Sequence, residues 1–508
     1  MNGGAATGPR RAALLAQAAL IAGGAALVAW LGSRADVYPL DGYYYLAKAR
    51  SLAGGLGPIV PWNDGIDGRL SLGYPFALAL PVRLAGEAGF WGLAAALHAL
   101  TGALFALILR RVAARPQVAV GAVALAMFNP VALWWATVPA PEPLLTALVA
   151  ASVLFALRWR QGARGWNLLL AALFGGLAFF TRAGGLLFAA APLALAWGRL
   201  REERRRGLAA ACVALLLAPE LLHLGWLHSR GAAWSSVLAF FSEVRAHLGE
   251  IDLGGALWLH VRGPYRLVFR FDTEPWFYAR FFPTWLTGAQ GLVLAIYLGA
   301  MVAALVSGFY KRGTAFVCAV GILVAALLHS FWYEAAGRFD HVAVPAAAFV
   351  LAWAIDKLFF WARPHRRVAF GLAVIAICAT IAGAYGVRVS QMHAARLTWQ
   401  QGGRDFRAVA RAVNALGLGA RPVVTDLGPY LAFYLDGRSY LDGDGRGLAE
   451  DVVPEGAAGR AFLVRQQVGA IASRRRAEEL ERGWSLAPGE TRRVEAPGTT
   501  LLVLDLQP

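Results

Sequence analysis

Cysteine is scarce in this 508-residue chain, and charged residues of both signs together make up only 16% of it. The three cysteines, Cys212, Cys318 and Cys378, each lie within an apolar run, so the sequence predicts neither a disulfide framework nor a cysteine metal cluster. The 58% hydrophobic content and the mean hydropathy of +0.52 exclude a soluble protein of this length. We therefore predict a polytopic membrane protein with α-helical spans, because lipid offers backbone groups no hydrogen-bond partners.

Acidic residues are also few, 31 against 48 arginines and lysines, which gives a formal net charge of +17. Such a balance occurs in nucleic-acid-binding proteins, but here the basic residues are concentrated in short gaps between apolar runs. The positive-inside rule expects this distribution in cytoplasmic loops, so we interpret the charge as a topology signal and expect no nucleic-acid partner. The basic clusters lie at 10–11, 110–115, 158–164, 199–206, 311–312 and 363–367.

Placing these clusters in the cytoplasm orders the apolar runs into about eleven transmembrane helices. The first run has no obvious cleavage site, so we interpret it as a retained signal anchor. The order leaves two long loops, 32–88 and 228–283, on the outer face of the membrane. The predicted spans are 12–31, 89–109, 117–136, 142–157, 166–180, 184–198, 207–227, 285–308, 314–332, 342–361 and 368–388.

The tail, residues 390–508, differs in composition from the preceding 1–389. It is polar, with a candidate helix in "RDFRAVARAVNALG" and short β-like runs in "PVVTD", "AFLV" and "TTLLVLDL". This alternation predicts a small α/β domain, and an odd number of spans places that domain outside the cytoplasm. No internal repeat is apparent, so the inverted-repeat pattern of many transporters is not evident.

An acid and three tyrosines follow the first span, in "PLDGYYYLAKARSL". The segment from Gly42 onward can form a helix at the membrane surface, where Tyr43 and Tyr44 suit the headgroup level and Lys48 and Arg50 can reach phosphates. Tyr43, Tyr44 and Lys48 are candidates for contact with an acceptor or a lipid. The carboxylate of Asp41 could act as a general base or a metal ligand, and it could equally be a helix N-cap.

A second acid, Glu142, lies between prolines in "WWATVPAPEPLLTAL", at the outer start of a span. The helix dipole stabilises a glutamate in a first turn, which is a purely structural explanation. A carboxylate so close to hydrocarbon is nevertheless costly, and this cost favours a partner or a chemical role.

Two arginines lie near the outer ends of apolar runs, Arg182 in "FFTRAGGLL" and Arg338 in "EAAGRFDHVAVPAAAFV". Either guanidinium could hold a lipid phosphate in a bidentate manner. Arg182 could instead extend to the membrane surface, and Arg338 could form an ordinary ion-pair network with Glu334 and Asp340. The second long loop, 228–283, is rich in aromatic and basic residues, which is typical of helices in the headgroup region and also of a lid over a lipid groove.

In this order and with this sidedness, the motifs resemble those of the GT-C superfamily of integral membrane glycosyltransferases. "LDGYYYLAKARSLAGG" followed by "GYPFALALPVRLAG" resembles its first external loop, and "LAFFTRAGGLLFAAAPLAL" resembles its frequent TR-x-x-G helix break. "NPVALWWATVPAPEPLLTAL" is similar to its next acidic site, and "GRFDHVAVPAAAFVLAW" to its late arginine-to-proline segment. The resemblance covers residues 12–388.

The resemblance implies an enzyme that transfers a sugar from a polyprenyl-phosphate donor to an extracytoplasmic acceptor by an inverting mechanism. Asp41 would be the first-loop acid, acting as base or metal ligand, and Glu142 a second acid near it in space. Arg338 and Arg182 would hold the donor phosphate. If a divalent cation such as Mg²⁺ or Mn²⁺ takes part, Asp41 and Glu142 would be its ligands.

The chain also departs from the patterns of the family. It lacks the "WWDYG" motif of oligosaccharyltransferase catalytic subunits, which disfavours that branch. Gly42 follows the first acid, where aminoarabinose and protein mannosyl transferases often carry Asp-Glu. Two alternatives stay open: a ligase that uses a diphosphate-linked oligosaccharide or polymer, and a non-catalytic lipid or glycan transporter. A transporter would carry polar residues near mid-membrane, whereas here they gather at the outer rim.

Overall fold

The structure, a computed structural model, describes a large part of the chain, and all structural statements concern that part. Backbone is described for most of the helical region and for parts of the tail, whereas the side chains of Asp41 and Arg338 fall outside the described atoms. The described residues are 7–34, 40–55, 57, 71–186, 188, 199–229, 242, 245, 252–265, 284–310, 314–330, 337–361, 406–416, 423–425, 431, 433–435, 439–441, 461–467, 488–496 and 499–506.

Up to residue 361 the described chain is helical, as the apolar runs predict. A 3₁₀ helix over Gly337–Ala343 precedes the α-helix Val344–Trp361, and a shorter one, Gly263–Tyr265, follows the α-helix Leu253–Arg262. The α-helices are α1 (Thr7–Ser33), α2 (Leu40–Ala53), α3 (Gly73–Ala85), α4 (Glu87–Arg111), α5 (Pro116–Met127), α6 (Pro130–Ala136), α7 (Glu142–Arg160), α8 (Trp166–Thr181), α9 (Arg206–Ser229), α10 (Leu253–Arg262), α11 (Thr284–Tyr310), α12 (Thr314–His329) and α13 (Val344–Trp361).

The predicted spans coincide with these helices to within a few residues, except where they fall outside the described residues. That exception covers most of 184–198 and all of 368–388, so the total of eleven stays a prediction. By length and composition alone, four described helices can cross a bilayer unaided, and shorter apolar helices accompany them. The four are Arg11–Ser33, Glu87–Arg111, Glu142–Arg160 and Arg206–Ser229.

The predicted span 117–136 is wrong in one respect, because two helices occupy it. The first ends at Met127, and Asn129 caps the second: its Oδ1 accepts from the backbone N–H of Val131 at 2.9 Å and of Ala132 at 3.2 Å. Pro130 follows at the first helical position, where a missing N–H costs nothing. The Asn129 side-chain amide also donates to the carbonyl of Pro264 at 2.7 Å, so a fully buried polar residue is hydrogen-bonded on both sides.

The chain folds into two compact units. The first unit comprises residues 1–33, 68–74 and 91–392, and its largest described core combines alanine, branched aliphatic and a few aromatic side chains, mostly from α5, α11, α12 and α13. At the crossing of α8 and α9 the backbones approach so closely that a Cβ on Gly176 would lie 2.5 Å from the Leu215 carbonyl oxygen. Only glycine allows that separation.

The second unit comprises residues 34–67, 75–90 and 393–508, so most of the first long loop belongs with the tail. Its helix α14 (Phe406–Asn414) buries Phe406, Val409 and Val413 on one face. The described strands of the tail form a mixed five-stranded sheet in the order β2-β1-β3-β5-β4, in which β1 pairs in parallel with β2 and β3, and β5 pairs antiparallel with β3 and β4. The strands are β1 (Val423–Thr425), β2 (Ser439–Leu441), β3 (Ala461–Gln467), β4 (Pro488–Ala496) and β5 (Thr499–Leu506).

Candidate active site

Glu142 is the first residue of α7 and is only 2% exposed. Proline is well tolerated on both sides of it, because the N–H groups of a first helical turn have no partner within the helix. The backbone N–H of Leu145 closes the first turn onto the carbonyl of Pro141 at 2.9 Å. The carboxylate therefore lies at the positive end of the helix dipole, in surroundings from which water is largely excluded.

Arg182 follows the last residue of α8 and has an extended backbone. Its carbonyl accepts from the N–H of Gly185 at 2.7 Å, which folds the chain back over the end of the helix. A Cβ on Gly185 would lie 2.1 Å from the carbonyl oxygen of Ala178, so the fold-back requires glycine at this position. The sequence "TRAGG" therefore ends α8 and directs the Arg182 side chain away from that helix.

The structure brings these two predicted site residues together. A guanidinium N–H of Arg182 donates to Oε1 of Glu142, whose side chain is 3% exposed whereas that of Arg182 is 22% exposed. The other carboxylate oxygen, Oε2, is buried and accepts no hydrogen bond from the described groups. Arg182 therefore pairs with a buried acid, and one oxygen of that acid keeps its hydrogen-bonding capacity.

His341 contributes a polar contact to the start of α7 that the sequence did not indicate. The hydroxyl of Thr146 donates to the backbone carbonyl of Glu142 at 2.8 Å, and it accepts from Nδ1 of His341 at 2.7 Å. Burial lowers the pKa of His341 to about 3, so its imidazole is neutral at physiological pH and acts as a hydrogen-bonding group. The contact ties the 3₁₀ helix to α7.

A second buried pair joins His260 of α10 to Asp340 of the 3₁₀ helix. Nδ1 of His260 donates to Oδ1 of Asp340 at 2.9 Å, and both side chains are at most 3% exposed. The ring of His329 lies 5.6 Å from that of His260. This group of five, His260, His329, Asp340, Arg182 and Glu142, forms the candidate site of the first unit.

The sequence analysis missed His260, His329 and His341, because no local pattern distinguishes them from hydrogen-bonded histidines of an ordinary core. Asp340 was considered only as an ion-pair partner of Arg338, and its contact with His260 spans 80 residues. Arg338 itself lies on the same 3₁₀ helix as Asp340 and His341, at the second residue of that helix. Its side chain is outside the described atoms, so phosphate binding by Arg338 stays a prediction.

The other predicted site residues lie on α2, in the second unit. Asp41 is the second residue of this helix. The structural explanation that competes with a chemical role is therefore an acid stabilised by the helix dipole in the first turn, not an N-cap. Tyr43 is fully buried, with its ring edge-on to Phe406 at 5.6 Å. Lys48 is also fully buried and Tyr44 is half-buried. The helix is thus largely covered, which corrects the expectation of a helix lying open to headgroups.

A divalent cation stays a prediction. Among the described side chains, no group of three or more His, Cys, Asp and Glu residues is arranged to hold a metal ion. The ligands expected from sequence include Asp41, whose side chain is outside the described atoms. Glu142 has one buried oxygen to offer, but its other oxygen is held by Arg182.

Comparison with known proteins shows the fold. The chain is similar to ArnT from Cupriavidus metallidurans bound to undecaprenyl phosphate, with a TM-score of 0.58 and 15% sequence identity, over 96% of this chain and 97% of that one. It is also similar to ArnT from Cupriavidus metallidurans in the apo state, with a TM-score of 0.55 and 15% identity, over 94% and 96% of the two chains. Neither protein-family models nor the sequences of curated proteins match the chain. It therefore has the polytopic helical fold of ArnT along nearly its whole length.

Proposed function

We propose that this protein, which has the fold of ArnT, transfers a sugar from a polyprenyl-phosphate donor to an extracytoplasmic acceptor, with inversion at the anomeric carbon. The solved structure of ArnT with undecaprenyl phosphate supports a lipid phosphate as the donor carrier. The observation that carries the proposal is the ion pair between the buried Glu142 and the partly exposed Arg182, two residues of the segments that resemble GT-C motifs. A buried carboxylate costs desolvation energy, and this cost favours a chemical role.

In the proposed reaction, a hydroxyl or amine of the acceptor forms a bond to the anomeric carbon from the face opposite the phosphate. The bond between that carbon and the phosphate oxygen breaks, and its electron pair leaves with the polyprenyl phosphate. The proton of the acceptor passes to the Asp41 carboxylate, which acts as general base. Arg338 and Arg182 bind the phosphate and stabilise the negative charge that accumulates on it.

Glu142 sets the position of Arg182 in this scheme. Its Oε1 fixes one edge of the guanidinium, which has further N–H groups in a planar fork. A divalent cation, if used, would add positive charge at the leaving phosphate, with Asp41 and Glu142 as the candidate ligands.

We further propose that eleven spans place the tail and both long loops outside the cytoplasm of a bacterial inner membrane. The arginine-rich gaps between spans support this orientation. The tail would then form an extracytoplasmic domain on the acceptor side, with membrane lipids and the polyprenyl donor as partners of the helical unit.

The proposal is tested with purified protein in lipid nanodiscs, a panel of radiolabelled polyprenyl-phosphate sugars and crude envelope acceptors. We expect release of polyprenyl phosphate together with transfer of label. Asp41→Asn should lose turnover by about 10²-fold or more while donor binding survives. Full activity of Asp41→Asn would remove Asp41 from the chemistry.

Other outcomes separate the alternatives. Release of polyprenyl diphosphate from an oligosaccharide-linked donor would assign the ligase reaction. Specific donor binding without turnover across the whole panel would favour a transporter and contradict the proposal.

A further inference from the structure

One short turn in the tail accepts hydrogen bonds on three successive backbone carbonyls. This tail turn consists of Leu431, Phe433, Tyr434 and Leu435, and it is closed by the N–H groups of Tyr434 and Leu435, which donate to the Leu431 carbonyl at 2.8 and 3.0 Å. The carbonyls of Phe433, Tyr434 and Leu435 would otherwise need water, as at the end of any helical turn. Each of them instead receives a side-chain N–H from elsewhere in the second unit.

Arg50 of α2 supplies two of these bonds. Its Nη1 donates to the carbonyl oxygens of Phe433 and Leu435, both at 2.7 Å and both partly buried. Asn414 of α14 supplies the third, with its amide donating to the carbonyl of Tyr434 at 3.0 Å. Charge-assisted bonds from a guanidinium are about twice as strong as neutral ones, and Arg50 lies in the last turn of its helix.

The same turn is also held through its tyrosine. The ring of Tyr434 lies edge-on to Tyr43 of α2 with centroids 6.4 Å apart, and its hydroxyl donates to Oε1 of Glu87 at 3.0 Å. Arg407 donates to that same oxygen at 2.5 Å. Residues more than 300 positions apart in sequence are therefore joined by directional contacts at both ends of α2.

The position of α2 matters because it carries Asp41. The helix rises about 1.5 Å per residue, so the nine steps from Asp41 to Arg50 span about 13.5 Å of continuous helix. A helix of this length moves as one piece, and fixing its last turn restricts where its first turn can lie. A displacement of about 1 Å at a reacting group can cost about 10²-fold in rate.

We propose that Arg50 and the tail turn form a clamp that positions Asp41 for proton transfer. The inference rests on the function proposed above for Asp41. It gives the tail a task within the reaction, and it makes Arg50 a positioning residue that touches neither donor nor acceptor.

The test compares Arg50→Ala with Arg83→Ala in the nanodisc transfer assay. Arg83 is an exposed arginine of α3 in the same unit, and it serves as the matched control. We expect Arg50→Ala to lower kcat by about 10-fold or more while the KM for donor changes less than about twofold. Asn414→Leu removes the third bond and should lower kcat by a smaller factor. The control should keep wild-type values.

Hydrogen exchange of α2 supplies a second readout that does not depend on turnover. Arg50→Ala should speed amide exchange across α2 and leave α5 unchanged, and Arg50→Lys should restore part of the protection because it can still donate to one carbonyl. Unchanged exchange of α2 in Arg50→Ala would overturn the clamp. Faster exchange with kcat within twofold of wild type would overturn its role in positioning.

The double variant Asp41→Asn/Arg50→Ala separates positioning from general damage. If the clamp acts through Asp41, the double variant should turn over no more slowly than Asp41→Asn alone. Multiplied losses would show that Arg50 acts by another route and would contradict the proposal. A wild-type protein without turnover on any donor would instead overturn the proposed function, and hydrogen exchange would still decide whether the clamp holds α2.

Discussion

The two ends of α7 carry opposite charges in opposite surroundings. Glu142, at the start, is almost fully buried and bound by Arg182. At the other end Arg160 is exposed, and Arg158 lies over the rings of Phe155 and Trp166 at 5.5 and 5.7 Å. The same helix thus ends in a buried ion pair on one side and in solvated or ring-stacked arginines on the other.

This difference separates charges that serve topology from charges that need another explanation. Exposed arginines at a membrane surface cost little and orient the chain during insertion. The ion pair of Arg115 and Asp356 belongs to that class, at 3.1 Å with side chains 49% and 13% exposed. A buried carboxylate near hydrocarbon has no such easy origin, and the described chain has such groups at Glu142 of α7, Glu220 of α9 and Asp340 of the 3₁₀ helix.

The largest expected effect follows from removing one partner of the buried pair. Arg182→Gln leaves the Glu142 carboxylate buried beside a neutral amide, which should lower the free energy of unfolding by about 2–3 kcal/mol, allowing for the partial exposure of the arginine. Thermal unfolding in detergent measures this loss, with Arg160→Gln as the control. The double variant Glu142→Gln/Arg182→Gln should recover part of the stability, because no buried charge is left unpaired. Equal thermal unfolding midpoints for Arg182→Gln and Arg160→Gln would contradict the difference proposed between the two ends of α7.

A smaller effect is expected at the hydrogen bonds behind Glu142. Thr146→Val keeps the side-chain shape but leaves Nδ1–H of His341 without its acceptor, which should cost about 1–2 kcal/mol of stability. Thr146→Ser keeps the hydroxyl and should lie close to wild type. Guanidinium-induced unfolding of the two variants side by side checks this, and a valine variant as stable as the serine variant would show that the contact contributes nothing.

The smallest effect is expected at the exposed ion pair of Arg115 and Asp356. Arg115→Gln and Asp356→Asn each remove one partner of a surface pair, and each should change the free energy of unfolding by less than about 1 kcal/mol. Raising the salt concentration should reduce even this difference. A loss of stability comparable to that of Arg182→Gln would contradict the distinction between the Arg182–Glu142 pair and the exposed Arg115–Asp356 pair.

The helical part of the fold was readable from sequence because hydropathy over about 20 residues dominates where a helix crosses a bilayer. The break at Asn129–Pro130 was missed for the same reason: the window averages over a cap, although Asn followed by Pro is a helix-start signal in itself. The acid at 142 and the arginine at 182 were identified individually from their apolar flanks. Their pairing was not, since it depends on how α7 packs against the end of α8.

Long-range contacts account for the rest of what sequence did not reveal. The bond between His260 and Asp340 crosses 80 residues, and that between Arg50 and the tail turn crosses more than 380. Nothing local distinguishes Arg50 from an arginine that reaches lipid phosphates, which is the role first expected of Arg50 and Lys48. The structure instead shows Arg50 donating to two carbonyls of the tail turn, and Tyr43 lying against Phe406 and Tyr434.

Binding of undecaprenyl phosphate to the purified protein decides whether the chain recognises a lipid phosphate. Native mass spectrometry would compare wild type, Arg338→Gln and the control Arg115→Gln at equal lipid concentration. We expect wild type and the control to bind alike, and Arg338→Gln to bind about tenfold more weakly, because a charge-assisted phosphate contact is lost. No binding by wild type would contradict the proposal of a polyprenyl-phosphate donor, and equal binding by all three proteins would remove Arg338 from the phosphate site.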